Sequence, residues 1–203
     1  MTALPLVLVT ALLMGVVHAF DVDHLAAITT FIARRPSARS AAAFAVRWGL
    51  GHSATLLAVG LASSLLSFVV GPGMRTAAEL AVGAMLILLG LRTFRRRGPR
   101  VARRDSVFWV GVVHGLAGSA GLMLILPIAL ISSVWAVLAF ILTFSLGVTA
   151  AMTVYALAIG GLFGRVAGGA GARWYPWLSG AAGSCTVLLG FAWISLALLA
   201  RGA

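Results

Sequence analysis

Lysine is absent from this 203-residue chain, and all 15 cationic side chains are arginines. A Walker-type nucleotide site needs its lysine, so ATP hydrolysis of that kind is excluded, as is Schiff-base chemistry. There is one cysteine, Cys185, which excludes an internal disulfide and a dithiol electron carrier. Acids number only four, Asp21, Asp23, Glu79 and Asp105. No HExxH occurs, which excludes a zincin-type protease. No nucleophile stands beside a base in a recognisable arrangement, so the reading is not an enzyme.

What fills the chain instead is apolar. Hydrophobic residues make up 62% and charged residues 9%, against about 25% charged in soluble domains. Such a chain cannot cover a water-facing surface, and a polytopic membrane protein is expected. Six apolar stretches stand out, near Leu4–Phe31, Ala41–Val70, Thr76–Phe94, Val107–Ser132, Val134–Phe163 and Trp177–Leu199. In lipid the backbone must satisfy its own hydrogen bonds, so the expected fold class is all-α with six transmembrane helices. Pro127 falls inside the fourth stretch and predicts a kink there.

The net charge of +11 resembles a nucleic-acid signal, yet its placement points to anionic lipid and a cytoplasmic face, with no nucleic-acid partner. The first, third and fifth loops hold 12 arginines, and the opposite side holds only Arg75 and Arg201, with Arg47 inside the second stretch. The arginine-rich loops are therefore expected in the cytoplasm of a bacterial inner membrane, with both termini outside. Trp109, Trp135, Trp174 and Trp177 fall near span ends, where interfacial indoles belong.

The chain also matches itself. Gly15-Val16-Val17-His18 recurs 96 residues later as Gly111-Val112-Val113-His114, and Leu50-Gly51 recurs at the same offset as Leu146-Gly147. Ala81-Val82-Gly83 and Leu88-Leu89-Gly90 recur 100 residues later as Ala181-Ala182-Gly183 and Leu188-Leu189-Gly190. The reading is a duplication, with residues 1–98 as the first repeat and 99–203 as the second, within one membrane domain. Three spans per repeat is an odd number, so the second copy is expected inverted. Inverted repeats are a transporter architecture with the substrate site near the midplane.

All four histidines lie inside apolar stretches: His18 and His24 in the first, His52 in the second, His114 in the fourth. Asp21 and Asp23 share the first. A central aspartate costs roughly 2.5–3.5 kcal/mol on an insertion scale, so such residues mark functional sites. At 1.5 Å rise per residue, His24, His52 and His114 lie about 10–17 Å from the cytoplasmic ends and His18 about 20 Å. On a continuous helix His18, Asp21 and His24 share one side and Asp23 points away. Either Asp23 contacts another span or the helix is broken there. Imidazoles with carboxylates and no thiolate or Met cluster suit a divalent first-row metal. His18, Asp21, Asp23, His24, His52 and His114 are the candidate metal residues, Asp21 and His114 as supporting or transient ligands. Simpler roles stand beside this one: Arg47 paired with Asp21 or Asp23, and His114 hydrogen-bonding across helices. Gly111 and Gly115 form a GxxxG pair for close helix packing, whether within the chain, in a homo-oligomer or with a partner subunit.

These residues resemble a known family. His18-Ala19-Phe20-Asp21-Val22-Asp23-His24 matches the H-x4-D-H signature of the nickel/cobalt transporter family, and Leu50-Gly51-His52-Ser53 resembles its second histidine motif. His114-Gly115-Leu116-Ala117-Gly118-Ser119 resembles a segment of shorter six-span relatives known as urease-accessory nickel permeases. The resemblance implies transport of Ni2+ or Co2+ as cargo, no cofactor and no ATPase of its own, with His18, Asp23, His24 and His52 essential. The chain departs from the family pattern at Val17, where arginine is common, and at Thr29-Thr30, where Asp-Asn is common; an acidic motif of the larger members is missing. Its third loop is arginine-rich without the histidines common in efflux relatives, which leans to uptake. The alternatives are efflux, or a non-transporting metal-binding subunit that serves an ATPase complex or metalloenzyme maturation.

Overall fold

A computed structural model describes residues 3–34, 36–66, 71–94, 104–116, 131 and 133–202, and among them every regular element is helical. The protein is an all-α polytopic membrane protein. Its helices are α1 (Ala3–Ala19), α2 (Val22–Arg34), α3 (Ala38–Leu66), α4 (Pro72–Phe94), α5 (Arg104–Leu116), α6 (Val134–Gly168) and α7 (Tyr175–Gly202), with a single 3-10 turn, Ala172–Trp174, before α7. Four of these, α3, α4, α6 and α7, are each long and apolar enough to cross a bilayer, and α1 with α2, bent by 58° at their break, counts as a fifth when the pair is taken as one span. The α5 helix is shorter, and the rest of the expected fourth span, with Pro127, lies outside the described residues.

Local chemistry explains the ends. The Ser37 hydroxyl reaches the Ser40 amide at the start of α3, as a helix-capping serine does. Pro72 opens α4, where its missing N–H costs nothing. The break in the first span is a tightened helix end: the Phe20 and Asp21 amides donate three residues back, to the Val17 and His18 carbonyls. Asp21 then accepts the first bond of α2, from the Leu25 amide, at 3.1 Å, so it occupies the N-cap position that suits aspartate.

The two arms of the broken span have different main neighbours. α1 runs along α6, whereas α2 lies against α7 and α4 and also touches α6; α3 packs on α5 and α6, and α4 on α7. The main core gathers Trp48, Phe140, Phe144, Ile28 and Ile32 from α2, α3 and α6. A smaller one joins α2 and α4 through Ala27, Val82 and Leu86. Large apolar side chains such as Leu66, Val154, Leu188 and Leu199 point outward, as a lipid-facing surface requires. Trp109, Trp135, Trp174 and Trp177 are all exposed.

Glycines permit the closest crossings. A Cβ on Gly51 would fall on the Phe108 carbonyl, and one on Gly111 on the Trp48 carbonyl, so α3 and α5 touch backbone to backbone. The α1–α6 crossing repeats this arrangement: Gly147 abuts the Leu12 carbonyl and Gly15 the Phe144 carbonyl. Adding 96 to Gly51, Trp48, Leu12 and Gly15 gives Gly147, Phe144, Phe108 and Gly111, so one crossing carries over onto the other. Between α4 and α7, Gly83 faces the Gly190 carbonyl and Gly183 the Gly90 carbonyl, again exchanged by the 100-residue offset.

At one end of the bundle the α2–α3 and α6–α7 connections meet. The hydroxyls of Tyr175 and Ser179 both donate to the Ala33 carbonyl, and Gly164 lies beside Pro36.

Candidate metal centre

All six expected residues converge. His18 ends α1, Asp21 sits at the break, Asp23 and His24 are in the first turn of α2, and His52 is the middle residue of α3, about 21 Å from either end at 1.5 Å per residue. His114 comes from the last turn of α5. The four histidines are 0–2% exposed and Asp23 is 4% exposed, so Asp23-His24 is not at a water interface. Only the Asp21 side chain, at 31%, keeps a partial opening.

The rings interlock. His52 stacks between Trp48 and His18, with centroids 5.0 and 5.4 Å away and planes tilted by 18° and 28°. His24 presents its edge to this stack, 4.7 Å from His18 and 4.8 Å from Trp48. His114 stands 5.3 Å from His24 and 5.6 Å from Trp48. One ring nitrogen from each of His18, His24 and His52 lies within 4.8 Å of the others, and so do donor atoms of Asp21, Asp23 and His24. Two imidazole nitrogens on one ion at about 2.1 Å stand roughly 3–4 Å apart, and the three imidazole nitrogens within 4.8 Å of one another come near that spacing.

The hydrogen bonds set which nitrogens remain available. His18 Nδ1 meets Asp21 Oδ2 at 3.0 Å, and His24 Nδ1 meets the His18 carbonyl at 3.2 Å. Neither acceptor can donate, so both Nδ1 atoms carry the proton and both Nε2 atoms carry the lone pair. Metal-binding histidines are held in this way, by a carboxylate or a backbone carbonyl. Asp23 Oδ1 accepts the His24 amide at 2.9 Å, using a donor that the helix start leaves open and gaining from the dipole there. Among the described residues neither ring nitrogen of His52 has a hydrogen-bond partner, and nor does His114 Nε2. A buried donor or acceptor left unmade costs about 1–3 kcal/mol, and a bound cation would relieve that cost at the lone pairs.

Asp21 turns to His18, and Asp23 lies 3.9 Å from His114; neither contact involves Arg47. Both options for Asp23 hold at once, since the helix is broken and the carboxylate faces another span. His114 does bond across helices, accepting the Trp48 indole N–H at 3.3 Å. The sequence reading missed Trp48 and Phe144, whose ring lies 5.5 Å from His18. Trp48 is four residues before His52 and so shares its helix face, and Phe144 is its counterpart 96 residues on. A hydroxyl row was also missed: Thr29 meets Tyr155 at 2.7 Å and Thr30 meets Thr186 at 2.5 Å, tying α2 to α6 and α7.

The chain is similar to the urease accessory protein UreH of Bacillus sp. (strain TB-90), with 25% identity over 174 residues that cover 76% of each chain. No protein-family profile matches it, and no solved structure does.

Proposed function

We propose that this protein is a secondary permease that carries a divalent transition-metal ion, Ni2+ or Co2+, into the cell across the inner membrane. The observation that carries the reading is the meeting of three imidazoles, His18, His24 and His52, within 4.8 Å at mid-span, with two carboxylates alongside. Nitrogen donors without thiolates suit Ni2+, Co2+ and Zn2+. Two carboxylates balance a dication in a site otherwise closed to water. The likeness to a urease accessory protein agrees with the resemblance of the histidine motifs to urease-accessory nickel permeases. His24 belongs to both donor groups. The ion meets the partly open Asp21 with Asp23 and His24 first, and then passes inward to the three imidazoles.

Residues 1–98 and 99–203 form the two inverted halves that rock about this site. Support comes from crossings that exchange under the repeat offsets, such as Gly51 on Phe108 and Gly147 on Leu12. The arginine-rich loops lie in the cytoplasm and both termini outside, and an arginine-rich third loop without histidine supports uptake.

Purified protein in liposomes, given Ni2+ or Co2+ outside and no added partner, tests the proposal. Flux should appear, and His24→Ala should lower it at least by the roughly 10–100-fold that supporting residues of metal sites cost. Unchanged flux in folded His24→Ala protein refutes the site. Metal binding by the wild type without any flux favours a metal-binding subunit instead.

A further inference from the structure

We infer that Trp48 and His114 are a positioning pair, in which the indole fixes the His114 tautomer so that His114 steers Asp23 and donates nothing to the ion. The inference deepens the permease reading and rests on its metal site.

His114 Nδ1 has two neighbours that make opposite demands. The Trp48 indole N–H points at it from 3.3 Å. An indole nitrogen only donates, so Nδ1 must then carry the lone pair. The Val110 carbonyl lies 3.2 Å from the same atom and only accepts, so that bond would need the proton on Nδ1. Both cannot hold in the neutral ring. Trp48 is fully buried, and a buried N–H with no acceptor is the more costly loss. The Val110 carbonyl sits inside α5, where the helix already gives it one bond. The indole therefore wins, and the proton goes to Nε2.

A protonated nitrogen cannot ligate a metal, and Nδ1 is already engaged. His114 Nε2 has no hydrogen-bond partner among the described residues and lies 3.9 Å from Asp23 Oδ2. That carboxylate is the acceptor within reach of its N–H after a small approach, and its other oxygen is held by the His24 amide. The donor set is then His18, His24 and His52 with the carboxylates, and one element, α3, supplies both a ligand, His52, and the group that excludes a rival, Trp48. Removing the indole N–H frees His114 to turn its proton toward Val110 and offer Nε2 as an added donor.

Detergent-purified protein loaded with Co2+ alone allows the coordinated imidazoles to be counted by X-ray absorption. His114→Ala should keep the wild-type count and weaken Co2+ binding about 10–100-fold, as loss of an outer partner does. Trp48→Phe, which keeps the ring and loses the N–H, should gain one imidazole, and Trp48→Phe/His114→Ala should return to the wild-type count. In metal-free wild-type protein, 15N shifts of the His114 ring should show the proton on Nε2, a reading that needs no variant. A proton on Nδ1, or a count that falls by one in His114→Ala, overturns the pair while leaving the permease reading intact. Wild-type protein that binds no Co2+ overturns both.

Discussion

Gly115→Ala tests whether the α3–α5 contact sets the metal centre. A Cβ at position 115 would stand 2.8 Å from the His52 carbonyl oxygen and 2.8 Å from Thr55 Cβ, where ordinary contact begins at 3.4 Å. The carbonyl is backbone and cannot rotate away, so α5 and α3 must separate by about 0.6 Å or more, at His52 itself. Overpacking of this kind costs roughly 1–3 kcal/mol, which a protein of about 5–15 kcal/mol stability survives. The site suffers more than the fold, since a misplacement near 1 Å costs on the order of 100-fold where geometry governs a step. Gly161→Ala on α6 is the control, because no described residue lies within 4 Å of its Cβ position; it should stay within about 0.5 kcal/mol. The assay is Ni2+ flux in proteoliposomes beside thermal melting in detergent. Gly115→Ala should melt lower yet fold, and its flux should fall by about one to two orders of magnitude. Wild-type flux from folded Gly115→Ala protein would refute the reasoning.

Asp21→Asn leaves a neutral amide opposite His18 Nδ1 in place of the carboxylate at 3.0 Å; Co2+ affinity measured by titration calorimetry should drop about 10–100-fold, and an unchanged Kd would count against the carboxylate–histidine pairing. Thr30→Val and Thr186→Val each break the 2.5 Å hydroxyl contact between α2 and α7 and should cost about 0.6–1.7 kcal/mol in detergent unfolding, as interhelical bonds in membranes do. The double variant should cost less than the two single losses combined, since both remove the same bond; strict additivity would show that the hydroxyls act separately.

Much of the centre was legible because a bilayer makes polarity conspicuous. His18, Asp21, Asp23, His24, His52 and His114 stood out as ionisable groups in apolar stretches, and all six converge. The break was half legible: Asp23 could not share a face with His18 on a straight helix, yet the short bonds that close α1 at Val17 and His18 have no signature in composition. Trp48 was illegible for a related reason. Indoles in membrane chains belong at interfaces by default, and the four assigned there are exposed. Trp48 is buried because Gly111 lets α5 lie directly on its carbonyl, and that contact depends on two distant segments meeting. The hydroxyl row escaped notice because threonine is unremarkable in a helix until its partner, 156 residues away for Thr30 and Thr186, is known.

The elbow in the first span has a mechanical consequence. Its first arm, α1, is fastened to α6, and its second arm, α2, chiefly to α7 and α4, with a lesser contact to α6. Motion of α4 and α7 against α6 therefore loads both the α2–α6 contact at Thr29–Tyr155 and the chain at Phe20-Asp21. His18 and His24 ride on opposite arms with their rings 4.7 Å apart, so such flexure cannot leave both imidazoles in the same relation. The spacing of the two rings and the posture of the bundle are thereby geared together: a change of posture is felt at the very joint that bends.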